Sequence, residues 1–113
     1  MLAYSETATD NLFAGLTAND YAVFSRDFDT DMQAEISATN FAAWKQDLEA
    51  KHGNYVSRRV DRVTQSDEFH VVTYNVKFEQ EEPVTVTVAF HAAQPPSIAF
   101  LAFDSGKMSW SAF

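Results

Sequence analysis

The sequence has no cysteine, only three glycines and three prolines, and half as many basic as acidic side chains. Without cysteine the chain forms no disulfide framework, no thiolate zinc site and no cysteine nucleophile. The few glycines and prolines, together with 46% hydrophobic residues, exclude a disordered or low-complexity chain. Residues 1–113 are therefore predicted to form one globular domain with a core of ordinary size.

Positive charge is scarce, and its placement is uneven. The net charge of −8 argues against nucleic acid or an anionic membrane as a partner. Residues 1–50 hold nine acidic and two basic side chains, whereas residues 51–113 hold seven and six. A local excess of positive charge comes from Lys51, Arg58, Arg59 and Arg62. We interpret it as a solvated basic edge; a subsite for an anionic ligand is the alternative.

Long hydrophobic runs are also missing. No stretch approaches the ~20 apolar residues of a membrane helix, and the first residues lack the basic region of a signal peptide. We expect a soluble cytoplasmic protein with no membrane partner, although a secreted protein whose signal had been removed would look the same. We expect no cofactor and no metal, because the glycines stand apart and no two histidines share the i, i+4 spacing of paired ligands.

Helical spacing dominates the first half of the chain. It predicts a first helix over residues 7–16, a break and a new cap at residues 18–20, and one kinked or two short helices over residues 21–36, where Asp29 can cap a turn. A further helix is predicted to carry one stripe of core residues, Phe41, Trp44 and Leu48. We expect Ser37 or Thr39 to cap its start and Gly53, in a left-handed conformation, to end it.

After Gly53 the hydrophobic period changes to two, which is typical of strands. Breaks in the pattern predict strands near residues 54–64, 68–79, 83–91 and 97–104. The predicted fold class is α+β, with the N-terminal helices first and an antiparallel meander of four to five strands after them.

Matching apolar faces predicts the pairing of the strands. For the second and third strands, Tyr74 is expected opposite Val88, and Val72 opposite Phe90. This arrangement leaves one apolar face and one polar face.

The last strand is apolar on both sides. Pairing Phe90 with Ile98 directs Phe100 inward and leaves Leu101 and Phe103 facing outward. We expect this outer face to be covered by the tail at residues 108–113 or by a second subunit.

The first strand is expected to place an arginine on the inward face. With Val56 opposite Val76, Arg58 lies opposite Tyr74, and Arg62 lies opposite His70. One interpretation is an edge strand on which Arg58 stacks on Tyr74. The other is a pocket in which Arg58 selects an anion.

Several short motifs occur in a characteristic order: LTANDYA at residues 16–22, FDTDM at residues 28–32, then Trp44 and Leu48, and GNY at residues 53–55 before the strands. In this order they resemble the nuclear transport factor 2-like superfamily and, within it, the small domain-of-unknown-function family 3887. The resemblance implies a cone-like, cystatin-like α+β domain in which the N-terminal helices pack in the hollow of a curved antiparallel sheet of four to five strands. Such domains often dimerise through the sheet. Some members are enzymes, such as ketosteroid isomerases, with an aspartate or histidine inside the cone; many others are binding or accessory domains.

We interpret the chain as a non-enzymatic ligand-binding or protein-interaction domain and expect a homodimer formed through the sheet or the C-terminal tail. The inward positions are aliphatic and lack a mid-strand acid. A pocket for a small hydrophobic or anionic ligand is expected to be lined by Trp44, Tyr55, Arg58, Tyr74 and Phe90. The alternative is a small lyase or isomerase that uses His70 as its base, with Tyr74 or Arg58 as partner.

Overall fold

The computed structural model describes residues 2–92, 97–105 and 109–111. Within them, four helices precede five strands. The helices are α1 (Leu2–Ala18), α2 (Tyr21–Phe24), α3 (Thr30–Glu35) and α4 (Phe41–His52). The strands are β1 (Tyr55–Gln65), β2 (Phe69–Phe78), β3 (Glu81–His91), β4 (Ile98–Asp104) and β5 (Ser109–Ser111). They form one antiparallel sheet in the order β1-β2-β3-β4-β5, so the predicted α+β meander is confirmed.

Side-chain caps and one glycine define three of the helix ends. Asp29 accepts a hydrogen bond from the Met32 N–H at 2.8 Å and caps α3, as predicted. Asp20 caps α2 in the same way. Gly53 ends α4 with a φ of +78°, and its N–H donates to the Glu49 carbonyl oxygen at 2.8 Å. This left-handed φ favours glycine, because other residues are strained there.

Both predicted ends of α1 and the predicted cap of α4 were wrong. Helix α1 is longer than residues 7–16, because nothing interrupts it before Asn19, whose φ is +59°. Neither Ser37 nor Thr39 caps α4: Asn40 occupies the cap position, and no side chain caps the helix. The Asn40 side chain instead donates to the Glu35 carbonyl oxygen at 3.0 Å and so belongs to the preceding turn.

The helices and the sheet enclose one core. Its centre on the helical side is an aromatic cluster in which the Phe24 ring lies 4.7 Å from Phe41, 5.2 Å from Phe28 and 5.4 Å from Trp44. The sheet contributes the buried side chains of Val72, Tyr74, Val76, Phe78, Val84, Val86, Val88 and Phe90. The aromatic stripes of the sequence are therefore core residues.

The register of β2 and β3 differs from the prediction by two residues. Tyr74 pairs with Val86 and Val72 with Val88, whereas His70 pairs with Phe90. A shift of two residues keeps every side chain on the same face, so matching apolar faces cannot detect it.

The predicted faces of β4 were wrong. An irregularity between Ala89 and Phe90 makes Ala89 the partner of Phe100, and Val88 the partner of Leu101. One bulge residue reverses the faces beyond it, so Leu101 and Phe103 point inward and are fully buried. Because both side chains are buried in the core, Leu101 and Phe103 cannot form the expected interface. The tail at residues 108–113 was expected to cover the outer face of β4. Its residues 109–111 form β5 beside β4, whereas residues 108, 112 and 113 lie outside the described residues.

Strand β1 also departs from its predicted register. Arg58 pairs with Val76 instead of Tyr74, and Arg62 pairs with Thr73 instead of His70. Irregularities between Tyr55 and Ser57 and between Val60 and Arg62 account for the shift, because each one adds an unpaired residue. Val56, predicted to face the core, is such a residue and is 51% exposed.

Candidate functional site

The five residues predicted to line one pocket lie in separate places. Tyr55, Arg58 and Tyr74 come together beneath α1, as described below. Trp44 packs on the far side of the core, 5.5 Å from the Phe103 ring. Phe90 is fully buried within β3. The structure therefore joins three of the five residues and leaves Trp44 and Phe90 in the core.

Arg58 is the charged centre of this group. One guanidinium nitrogen, Nη2, donates to Asp10 Oδ1 at 2.6 Å and lies 3.4 Å from Glu6 Oε1. The other, Nη1, donates to the Tyr55 hydroxyl at 3.2 Å. The Arg58 side chain is only 11% exposed, whereas both carboxylates reach solvent. Arg58 therefore connects β1 to the first helix.

Aromatic rings surround the guanidinium. Its central carbon lies 5.5 Å from the centre of the Tyr74 ring and 5.8 Å from that of Phe13. Phe13 in turn stacks on Tyr55 at 4.2 Å. The predicted stacking of Arg58 on Tyr74 is confirmed, and this geometry is that of a cation–π contact.

The electrostatics of this group disfavour a bound anion. Burial alone would lower the pKa of Arg58, but the hydrogen bonds to Asp10 and Tyr55 outweigh it and raise that pKa above its ordinary value. One permanent cation therefore faces two carboxylates, Glu6 and Asp10. An anionic ligand would have to displace Asp10 from Arg58.

The Tyr74 hydroxyl forms a second buried connection to α1. It donates to Glu6 Oε2 at 2.7 Å, and Thr9 Oγ1 lies 3.0 Å away. Because the single phenolic proton goes to Glu6, the Thr9 hydroxyl donates to Tyr74. Burial, reinforced by Glu6, raises the pKa of Tyr74 well above its ordinary value.

This pKa shift predicts a loss of stability in alkali. A phenol with a raised pKa binds its proton more tightly in the folded state, so its contribution is complete below pH ~10 and is lost as the pH rises further. Urea unfolding between neutral pH and strong alkali should show a steeper decline for the wild type than for Tyr74→Phe. Equal slopes would show that Tyr74 is not the group responsible.

The hydroxyls of Thr9 and Tyr74 should be energetically coupled. Tyr74→Phe leaves the buried Thr9 hydroxyl without its partner and should cost about 1–3 kcal/mol of unfolding free energy. Adding Thr9→Val removes the unpaired group, so the double variant should be no less stable than Tyr74→Phe alone. A double-mutant cycle in urea measures the coupling; additive losses would contradict it.

The sequence also contained a signal for these helical partners. Glu6, Thr9 or Asp10, and Phe13 lie three to four residues apart and so share one face of α1. Their role was missed because polar residues at this spacing usually form a solvated face. Only the tertiary structure brings that face over Arg58 and Tyr74.

His70, the weak catalytic candidate, lies apart from its proposed partners. It sits at the start of β2, and its Nδ1 is buried with no hydrogen-bond partner among the described residues. Tyr74 follows four residues later, about 13 Å along the strand. The residue paired with Arg58, Val76, is further still. The structure therefore does not bring His70 together with Tyr74 or Arg58.

The other two histidines have structural partners. His52 is fully buried; its Nδ1 donates to the Leu48 carbonyl oxygen at 3.0 Å, and its Nε2 lies 2.7 Å from Ser105 Oγ. His91 Nε2 lies 2.7 Å from Asp29 Oδ2. Within residues 2–92, 97–105 and 109–111, no cluster of three or more histidine or acidic side chains is arranged to hold a metal ion. None of the described helices is long and apolar enough to cross a membrane.

Two surface clefts border Arg58. The α1–β1 cleft has a volume of about 660 Å³ and is lined by Asp10, Phe13, Ala14, Thr17, Ala18, Tyr55, Val56 and Arg58. The groove on the opposite side of the sheet has a volume of about 450 Å³ and includes Arg59, Asn75 and Lys77. Both are open at the surface.

Fold and site together define a small α+β domain with helices on one face of an antiparallel meander and a polar link between the first helix and the first strand. A family model described as "Protein of unknown function (DUF3887)" matches residues 9–94. The chain belongs to this family, as the order of its motifs suggested. No curated protein and no solved structure matches the chain.

Proposed function

We propose that this protein is a non-enzymatic binding domain of the nuclear transport factor 2-like kind and that it works as a homodimer. The observation that carries the proposal is the filled interior. Tyr74 and Phe90 are fully buried, and the Tyr74 hydroxyl is already bonded to Glu6 and Thr9. Because these inward side chains already bond to and pack against one another, we expect partners to bind at the surface.

The position of His70 supports a role without catalysis. An acid–base mechanism needs both groups within hydrogen-bond reach of one substrate. With about 13 Å of strand between His70 and Tyr74, one reacting centre cannot lie within hydrogen-bond reach of both. This separation favours the binding domain over the lyase or isomerase alternative.

The outer face of the sheet is the surface that we assign to the homodimer. It carries cross-strand rows of polar side chains; one row consists of Arg59, Asn75, Thr85 and Asp104. A two-fold axis parallel to the strands would place β1 of one copy over β4 of the other. Arg59 would then approach Asp104 of the second copy, which gives charge complementarity across the interface.

Substitutions near the axis test this dimer. Thr87 lies on β3 between Thr73 and Ala102, at the middle of the outer face. Light scattering at tens of micromolar should report a dimer for the wild type and a monomer for both Thr87→Lys and Thr87→Asp, because either charge would meet its own copy. Ala42→Lys, on the exposed side of α4, should stay dimeric. A monomeric wild type would disprove the dimer and leave the binding role standing.

A small-molecule role has one observation in its favour. The α1–β1 cleft brings together Tyr55 and Arg58, two of the five predicted pocket residues, and the stacked Phe13 and Tyr55 are both among its lining residues. We propose that it accepts a flat apolar ligand. In saturation-transfer NMR, indole should bind at least as well as indole acetate, since Asp10 already neutralises Arg58. Tyr55→Ser should weaken indole binding, and an unchanged signal would contradict this site.

A further inference from the structure

Strand β1 (Tyr55–Gln65) is an edge strand of the sheet. Its only described neighbour is β2, so every second residue directs an unpaired N–H and C=O away from the sheet. Most of its side chains are exposed. Among the described residues, the exposed large hydrophobic side chains are Val56, Val60 and Val63, and all three lie on β1. A long edge with exposed valines can pair with another strand.

The two faces of this edge differ in chemistry. Val60 and Val63 pair with residues of β2 that face the core, yet they are 38% and 41% exposed. Arg59 and Arg62 pair with polar residues of β2 on the outer face. Along its free edge, β1 therefore presents a row of apolar side chains on the core-side face of the sheet and a row of basic side chains on the outer face.

The basic row is available to a partner. Arg58 is neutralised by α1, but Arg59 makes no ion pair within the described part of the chain. Arg62 is 71% exposed and only approaches its neighbour Asp61, at 3.9 Å. With three arginines and one aspartate, β1 is positive although the whole chain carries −8. The positive charge of this strand favours a partner segment that is negatively charged.

We propose that β1 is a docking strand for an extended acidic segment of another protein. The segment adds to the sheet beside β1, with carboxylates opposite Arg59 and Arg62 and β-branched or aromatic residues opposite Val60 and Val63. A second copy of β1 is disfavoured because it would oppose arginine to arginine. Nucleic acid, which is also anionic, is disfavoured because its phosphates would contact Arg59 and Arg62 but leave the exposed side chains of Val60 and Val63 without an apolar partner.

The bulges of β1 set the length of the segment. They leave two regularly paired stretches, residues 57–60 and residues 62–65. Each stretch spans four residues, so a partner of about eight residues covers the edge. The inference rests on the proposed binding function and names its protein partner. The dimer would set Arg59 opposite Asp104 of the second copy. The titrations are therefore also run in the monomeric Thr87→Lys background, where no second copy competes for Arg59.

The test is a fluorescence-anisotropy titration with a labelled octapeptide of alternating glutamate and valine. The wild-type protein should bind it, and the double variant Arg59→Glu/Arg62→Glu should bind at least tenfold more weakly. A matched control, Arg26→Glu/Lys51→Glu, changes the net charge equally but alters no residue of the sheet, and it should bind like the wild type. The charge-reversed protein should instead bind an octapeptide of alternating lysine and valine.

Further peptides separate strand addition from simple charge attraction. A peptide with four glutamates followed by four valines has the same composition without the alternation and should bind at least tenfold more weakly. N-methylation of the backbone on one edge of the alternating peptide should abolish binding, and methylation of the other edge should not. Equal binding of all these peptides, or no binding of the alternating peptide at millimolar protein, would overturn the proposal. Displacement by oligothymidine would point to nucleic acid instead.

Two measurements distinguish a loss of binding from a loss of folding. Both charge variants are checked by thermal unfolding, and hydrogen exchange on the wild type should show added protection confined to β1 when the alternating peptide is bound. Protection elsewhere would place the peptide at another site and so refute the docking strand. Dimer assembly, measured in parallel, reports separately on the rest of the proposed function.

Discussion

Replacing Gly15 with alanine is expected to destabilise the protein by about 3 kcal/mol, although alanine is the better helix former. Gly15 lies in α1 where Phe24 crosses it. A Cβ added there would lie 2.5 Å from the Phe24 Cα and 2.7 Å from its Cβ, and closer still to its backbone nitrogen. Two of these atoms are backbone, so α2 would have to move as a whole.

The neighbouring residue provides a matched control. Ala14 lies beside Gly15 on α1 and is exposed. Ala14→Gly should cost about 1 kcal/mol through helix propensity alone. Gly15→Ala reverses that substitution and should nevertheless cost more, with a melting temperature lower by roughly 12 °C for a domain of this size. If Gly15→Ala raised the melting temperature, α1 and α2 could not be in the contact seen here.

Truncating Phe103 to alanine should cost about 3–5 kcal/mol, because a fully buried ring leaves a cavity. The ring is enclosed in the core, and its centre lies 5.5 Å from that of Trp44. Equilibrium unfolding in urea measures the loss. Trp44 fluorescence should also shift, since the packing of the indole changes.

The comparison with Phe100→Ala identifies the face of β4. Phe100 pairs with Ala89 and is only partly buried, so its truncation should cost clearly less than that of Phe103. A register without the irregularity between Ala89 and Phe90 predicts the opposite order. Unfolding free energies that rank Phe100→Ala as the more damaging variant would show that this bulge is absent.

The elements of the fold could be predicted from periodicity and caps, but the register could not. The change of period at Gly53 and the cap at Asp29 are local features, and both were predicted correctly. A bulge such as that between Ala89 and Phe90 depends on how whole strands pack, and β4 is apolar on both faces. Its sequence therefore could not indicate which face is buried.

For the site, the sequence indicated the unusual residue but not its surroundings. An inward arginine in an apolar strand pattern was recognisable at Arg58, together with its ring partner Tyr74. Trp44 and Phe90 were assigned to the same pocket because aromatic residues on inward faces look alike in sequence. The acidic partners Glu6 and Asp10 lie about fifty residues away, and nothing local connects them to Arg58.

The link between α1 and the sheet has a consequence for the order of folding. Pairing in a meander joins strands that follow one another in sequence, so the sheet can form with little loss of chain entropy. The Arg58–Asp10 and Thr9–Tyr74 hydrogen bonds instead close loops of 48 and 65 residues. We expect such contacts to form late, after the rate-limiting step. Changes at these residues should therefore speed unfolding while leaving the refolding rate almost unaltered. If they do, the polar link determines how long the domain stays folded.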